Sequence, residues 1–119
     1  MSKAIIIGIT ESKVVEYESF NKLKEDMGVD YVEVARRGVL GDTPVLILVD
    51  EEGKLNGKEP NDDASFMAEE INSYVLFADV LVGTAALVKN GEEDLEGFSD
   101  EEAAAMRSAM EARGILFAS

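Results

Sequence analysis

Ala4-Ile5-Ile6-Ile7-Gly8-Ile9 is a continuous apolar run rich in β-branched residues, and it reads as a buried strand. Val14 to Glu18 alternates less cleanly and reads as its neighbour, reached through a polar turn over Thr10 to Lys13, so the chain is expected to open with a β-hairpin. From Ser19 the period changes to a helical one. Phe20, Leu23 and Met27 share a face, Ser19 suits the N-cap, and Gly28 supplies a stop. Tyr31 to Ala35 reads as a strand, Arg36 to Pro44 as a glycine-containing loop, and Val45-Leu46-Ile47-Leu48-Val49 as a second fully buried strand.

The second half is less regular. Asp50-Glu51-Glu52-Gly53 reads as a turn, and Lys54 to Asn61, with Gly57 and Pro60 in a polar setting, reads as loop. Ser65 to Tyr74 has partial helical spacing through Phe66, Met67, Ile71 and Tyr74, while Val75 to Val88 reads as one strand bent at Gly83. Ser99-Asp100-Glu101-Glu102 fits a capping box, and Phe98 is placed to staple onto Ala103. A helix over Asp100 to Arg113 follows, its inner stripe running through Ala103, Met106, Ala109 or Met110 and then Arg113, with Gly114 as the stop. Ile115 to Phe117 is expected to form an edge strand or a docked tail. Together these elements predict a single α+β domain: a mainly antiparallel sheet with two helices, Phe20 to Met27 and Asp100 to Arg113, packed on one face.

Composition bounds the chemistry. With 119 residues, 46% of them hydrophobic and 30% charged, the chain suits one domain that folds without staples. The longest apolar runs fall far below the roughly 18 residues a membrane span needs, and no signal-peptide pattern opens the sequence, so a soluble, cytoplasmic protein is expected. Cysteine and histidine are both absent. That excludes disulfides, thiolate zinc sites, cysteine nucleophiles and histidine-based triads, leaving carboxylate, lysine, tyrosine or hydroxyl chemistry. No catalytic set stands out among so many acids; a non-enzyme without cofactor or metal is expected.

The formal charge is -14, and it is unevenly spread: Asn61 to Ser119 hold thirteen acids against three bases, whereas Met1 to Pro60 hold twelve against eight. Such a charge speaks of solubility and partners rather than fold. The densest stretch, Glu92 to Glu102, contains seven carboxylates and no base. Part of this is ordinary helix electrostatics, since acids suit a first turn. Glu92, Asp94, Glu96 and Gly97 occupy the first, third, fifth and sixth positions of a calcium loop, yet the first should be Asp and the twelfth is Ala103, so the bidentate ligand is out of register. Rows of carboxylates can also imitate a phosphate track and attract a basic DNA-binding surface. Glu92, Glu93, Asp94, Glu96, Asp100 and Glu101 are the candidate partner-binding residues on that reading. A halophile's composition would favour Asp, whereas sixteen Glu face nine Asp here.

Arg36-Arg37 is the only adjacent basic pair, and with Lys54 and Lys58 it could hold an anion. Gly53 to Lys58 lacks the glycine spacing and the hydroxyl of a phosphate loop. No basic face with interleaved aromatics is present, which disfavours direct nucleic-acid binding.

From Asp50 to Asn61 the chain resembles a family of small domains found largely in phages, plasmids and related bacterial elements, the domain of unknown function 3846 family. The likeness is carried by the Gly53-Lys54-Leu55-Asn56-Gly57 turn with Pro60-Asn61, by Asp79-Val80-Leu81-Val82-Gly83-Thr84, and by the acidic turn and Ser-Asp-Glu helix start within Leu95 to Glu102. It spans Tyr31 to Met110. Lys58-Glu59 stand where more apolar residues are usual, and Asp62-Asp63 where a basic or small residue is, which weighs against an anion-binding role for that loop. The resemblance implies a mobile-element setting and supplies no catalytic set. Two functions follow as expectations. One is an acidic accessory protein that binds a basic surface of a host nucleic-acid-handling protein, as a DNA mimic or anti-defence inhibitor. The other is a module sequestering a small molecule or nucleotide through Arg36, Arg37, Lys54, Gly57 and Asn61.

Overall fold

In a computed structural model, residues 2–71 and 80–118 are described. The opening hairpin forms from β1 (Lys3–Ile7) and β2 (Ser12–Glu16), antiparallel with Ile5 opposite Val14. The helix α1 (Phe20–Met27) follows, its Ser19 hydroxyl accepting the Lys22 amide at 3.1 Å and its end set by Gly28. Then come β3 (Val32–Leu40), β4 (Thr43–Asp50), α2 (Asp62–Ile71), β5 (Ala85–Asn90), β6 (Leu95–Glu96) and α3 (Asp100–Glu111). All strands join one antiparallel sheet in the order β2-β1-β5-β4-β3, with β6 pairing the end of β5. The fold is therefore α+β, as the sequence predicts.

Why the central strands read as unbroken apolar runs is now explicit: the sheet is covered on both sides, so both side-chain parities must be apolar. Ile5, Ile7, Val45, Ile47, Ala85 and Leu87 face α2 and α3, and meet Met67, Ile71, Met106 and Met110 there. Ala4, Ile6, Leu46, Leu48, Ala86 and Val88 face the other way and meet Leu23 and Met27 of α1. One face does carry two helices, but they are α2 and α3. The expected partner of α3, helix α1, lies on the opposite face. A β-strand alternates its side chains whatever the helices do, so a run apolar at both parities leaves the assignment of helices to faces open.

Two local expectations change. The loop expected over Arg36 to Pro44 is mostly strand, because β3 runs on through a bulge between Val34 and Arg36 to Leu40 and turns only at Gly41-Asp42. Gly38 sits inside that strand because α2 ends directly above it: a Cβ there would stand 2.0 Å from the Ile71 carbonyl oxygen. Within the strand expected over Val75 to Val88, residues 75–79 lie outside the described ones; Val80 to Thr84 is irregular apart from a bridge between Val82 and Pro60, and β5 starts at Ala85. The partial helix spacing from Ser65 resolves as α2; Tyr74 lies outside the described residues.

At the C-terminal end the capping box is complete, with Ser99 Oγ accepting the Glu102 amide at 3.1 Å and the Glu102 carboxylate accepting the Ser99 amide at 2.9 Å. Phe98 is fully buried and shares the core with Ala103. Arg113, at the end of the expected inner stripe, is exposed and pairs with Glu70. The tail docks rather than ending free: Ser12 donates to Leu116 at 2.8 Å and accepts from Ala118 at 2.7 Å.

Candidate functional site

Antiparallel pairing brings distant acids to one end of the sheet. Lys3 at the start of β1 lies opposite Glu16 at the end of β2, and Asn90 at the end of β5 lies opposite Leu95. Phe98 then pins the chain beside Lys3 through paired backbone bonds of 2.7 and 2.8 Å, so α3 starts at this same end. Glu92, Glu93 and Asp94 form the turn between β5 and β6, Glu96 sits on β6, and Asp100 and Glu101 open α3; all six are exposed. Among the described residues no ion pair engages any of the six. Two nearby bases are already matched, Lys3 to Glu16 at 3.0 Å and Lys89 to Glu102 at 2.8 Å.

The local field is felt by neighbours. The bond to Glu16 raises the pKa of the Lys3 ammonium against the lowering effect of burial, with the charges of Glu16 and Asp100 adding to it. Burial pushes the Tyr17 phenol up, and the charge of Asp94 pushes it further. Both shifts have the sign expected beside concentrated negative charge.

The residues of the alternative ligand set do not converge. Arg36 lies opposite Ile47 and Arg37 opposite Leu46, and as consecutive residues of β3 they point to opposite faces of the sheet. Neither is in a loop. Arg36 and Lys54 share a hollow of about 220 Å3 with Leu55, Leu81 and Val82. Arg36 donates to the adjacent Ala35 carbonyl at 2.7 Å, and its Nε is buried without a partner among the described residues. Arg37 instead lines a separate groove of about 290 Å3 beside Glu92, Glu93 and Asp94. Gly57 closes the turn after β4 at φ 67°, and Lys58 is engaged with Asp50 at 2.9 Å. Asn61 is fully buried: its side chain donates to Ile7 and Gly83 and accepts the Ala64 amide, capping α2. Asn61 is thus a structural residue, out of a ligand's reach.

A family model described as a domain of unknown function, DUF3846, matches residues 3–111. The chain belongs to this family. The match takes in every described element from β1 to α3, including the opening hairpin. No curated protein and no solved structure matches it.

In this DUF3846 chain the described residues include no group of three or more acids placed to hold a metal ion, and no helix long and apolar enough to cross a membrane. Sequence reasoning missed the surroundings of the acidic turn. Val34 and Leu46 line the groove that Glu92, Glu93 and Asp94 border, with Leu95 at its end. No local signal marked this groove, because the loop expected over Arg36 to Pro44 hid the continuation of β3 past Val34.

Proposed function

We propose that this DUF3846 chain is a small non-enzymatic accessory protein of a phage or mobile element. On this reading its acidic end binds a basic surface of a host nucleic-acid-handling protein in place of nucleic acid. The observation that carries it is the gathering of Glu92, Glu93, Asp94, Glu96, Asp100 and Glu101 at one end of the sheet, exposed and without ion pairs among the described residues, beside bases already matched by other acids. Unpaired exposed carboxylates on one end create a field that draws in a basic partner, speeds encounter and weakens with salt. The resemblance to phage- and plasmid-borne domains supplies the setting.

The experiment is retention of partners from a bacterial lysate by the immobilised chain at low and raised salt, with Glu92, Glu93, Asp94 and Glu96 converted to their amides in a parallel column. A basic nucleic-acid-handling protein held at low salt, released at raised salt and lost with the amide variant supports the reading. Retention of no basic protein, or retention indifferent to the variant, sinks it.

A further inference from the structure

The two faces of the sheet are unequally covered, and the difference falls beside the acidic turn. One face carries α2 and α3; among the described residues the other carries one helix, the eight-residue α1, which buries Leu23 and Met27 over Leu46 and Leu48, with Tyr17, Val29 and Leu95 packed beside them. Toward the β3 edge that second face is open: Val34 is 41% exposed and Val39 51%. The groove of about 290 Å3 runs here, from Val34 over Leu46 to Leu95, bordered by Glu92, Glu93 and Asp94 and also by Arg37 and Asn90. Exposed apolar residues set among three carboxylates are a chemistry that imitation of a phosphate track has no use for, because nucleic acid is bound through charge and base edges. It suits an apolar side chain whose chain neighbours are basic.

We propose that this groove takes an apolar anchor residue, flanked by lysine or arginine, from an extended segment of the partner. The inference rests on the acidic-end reading above and adds the part of the partner that charge alone does not select. Charge complementarity decides the flanks: the three carboxylates of the β5–β6 turn, without ion pairs among the described residues, outnumber the one guanidinium of Arg37 at the groove, in a chain of net charge -14. Size decides the anchor. A groove of this volume has room for one large side chain, whereas a helix is roughly 10–12 Å across. The anchor enters over Leu46 and Val34, and its basic neighbours lie toward Glu92, Glu93 and Asp94. Electrostatics then sets the encounter rate and most of the affinity, and burial of the anchor adds a share that salt does not screen.

Two fluorescein-labelled nine-residue peptides of equal charge test this by anisotropy. In one, lysines flank a central Leu-Phe pair; in the other, serines replace that pair. At about 0.5 M salt, where the Debye length is only a few Å, the Leu-Phe peptide should bind about tenfold tighter than the serine peptide, the gain expected from burying one large apolar side chain. Val34→Ser and the shape-conserving Val34→Thr should both bring the two peptides close to parity, while Val39→Ser, on the same strand but outside the groove, should leave the preference intact. Circular dichroism confirms that each variant folds. Equal binding of the two peptides overturns the groove and leaves the acidic-end reading standing. A preference that survives both Val34 substitutions, or failure of either peptide to bind while a basic protein is retained from lysate, also overturns it. If lysate retention fails but the Leu-Phe preference depends on Val34, the acidic-end reading is what falls.

Discussion

The side-chain amide of Asn61 donates to the Ile7 carbonyl at 2.9 Å, a bond across 54 positions that ties the start of α2 to the end of β1. The same nitrogen reaches Gly83 at 2.8 Å, and the oxygen accepts the Ala64 amide at 2.9 Å, so each polar atom of a fully buried side chain is used. Asn61→Ala leaves buried carbonyls and a helix start unsatisfied, and is expected to cost about 2–4 kcal/mol. Asn61→Asp keeps the cap acceptor but turns an oxygen toward the two carbonyls, and should cost more. Urea unfolding checks both through a lower midpoint at unchanged slope. A ligand-binding surface residue would leave the midpoint nearly where it was.

That bond shows which kinds of feature sequence carries. Ser19 with Gly28 and Ser99 with Glu102 are local devices: donor, acceptor and stop lie within a turn or two of one another, and both helices stand where those residues predict. The charge asymmetry was legible too, although its gathering at one end depends on Lys3 meeting Phe98, a pairing across the sheet. Asn61 looked like a turn residue because its partners are remote. Arg36 and Arg37 looked like one basic pair because their stretch read as a loop, whereas consecutive residues of a strand point to opposite faces. The open groove followed from neither local signal nor composition, since it depends on how little of one face an eight-residue helix covers.

Asp50 and Lys58 predict a pH dependence. The Asp50 carboxylate is 7% exposed, holds Lys58 Nζ at 2.9 Å, and accepts the Glu52 amide at 2.9 Å. Burial pushes its pKa up, but the bonds from Lys58 and Glu52 and the charge of Lys58 together outweigh that and hold it below 3.8. A carboxylate depressed on folding contributes stability that is complete above its unfolded pKa and is lost as pH falls through the folded value. Removing the ammonium with Lys58→Met should cost about 1–2 kcal/mol at pH 7. The gap between wild type and variant should then narrow below about pH 4, where Asp50 becomes protonated. Unfolding free energies measured from pH 7 to pH 3 would show it; a constant gap would mean that the pair contributes nothing.

Gly38→Ala tests the contact between β3 and α2. A methyl group at this position meets the Ile71 carbonyl oxygen at 2.0 Å and its carbon at 2.6 Å, and backbone atoms at a helix end have little freedom to withdraw. Overpacking of this kind costs about 1–3 kcal/mol. Thermal unfolding should record the loss, and hydrogen exchange should report faster opening at the end of α2 than at α3.

The acids themselves divide into those with a structural task and those without. Glu102 accepts the Ser99 amide and pairs with Lys89, and both bonds hold its pKa below the usual value, the Lys89 bond more strongly. Ser99→Ala removes half of the capping box and should cost about 1 kcal/mol. Glu102→Gln should destabilise as well, because the Lys89 ammonium loses its counter-charge. Glu92, Glu93 and Glu96 make no side-chain hydrogen bond or ion pair among the described residues, yet they add repulsion to a chain of net charge -14. Converting these three to glutamine should therefore leave the melting temperature unchanged or raise it at low salt, with the rise fading as salt increases. A melting temperature that falls instead would give these carboxylates a structural role, and would remove the reason for assigning them to a partner.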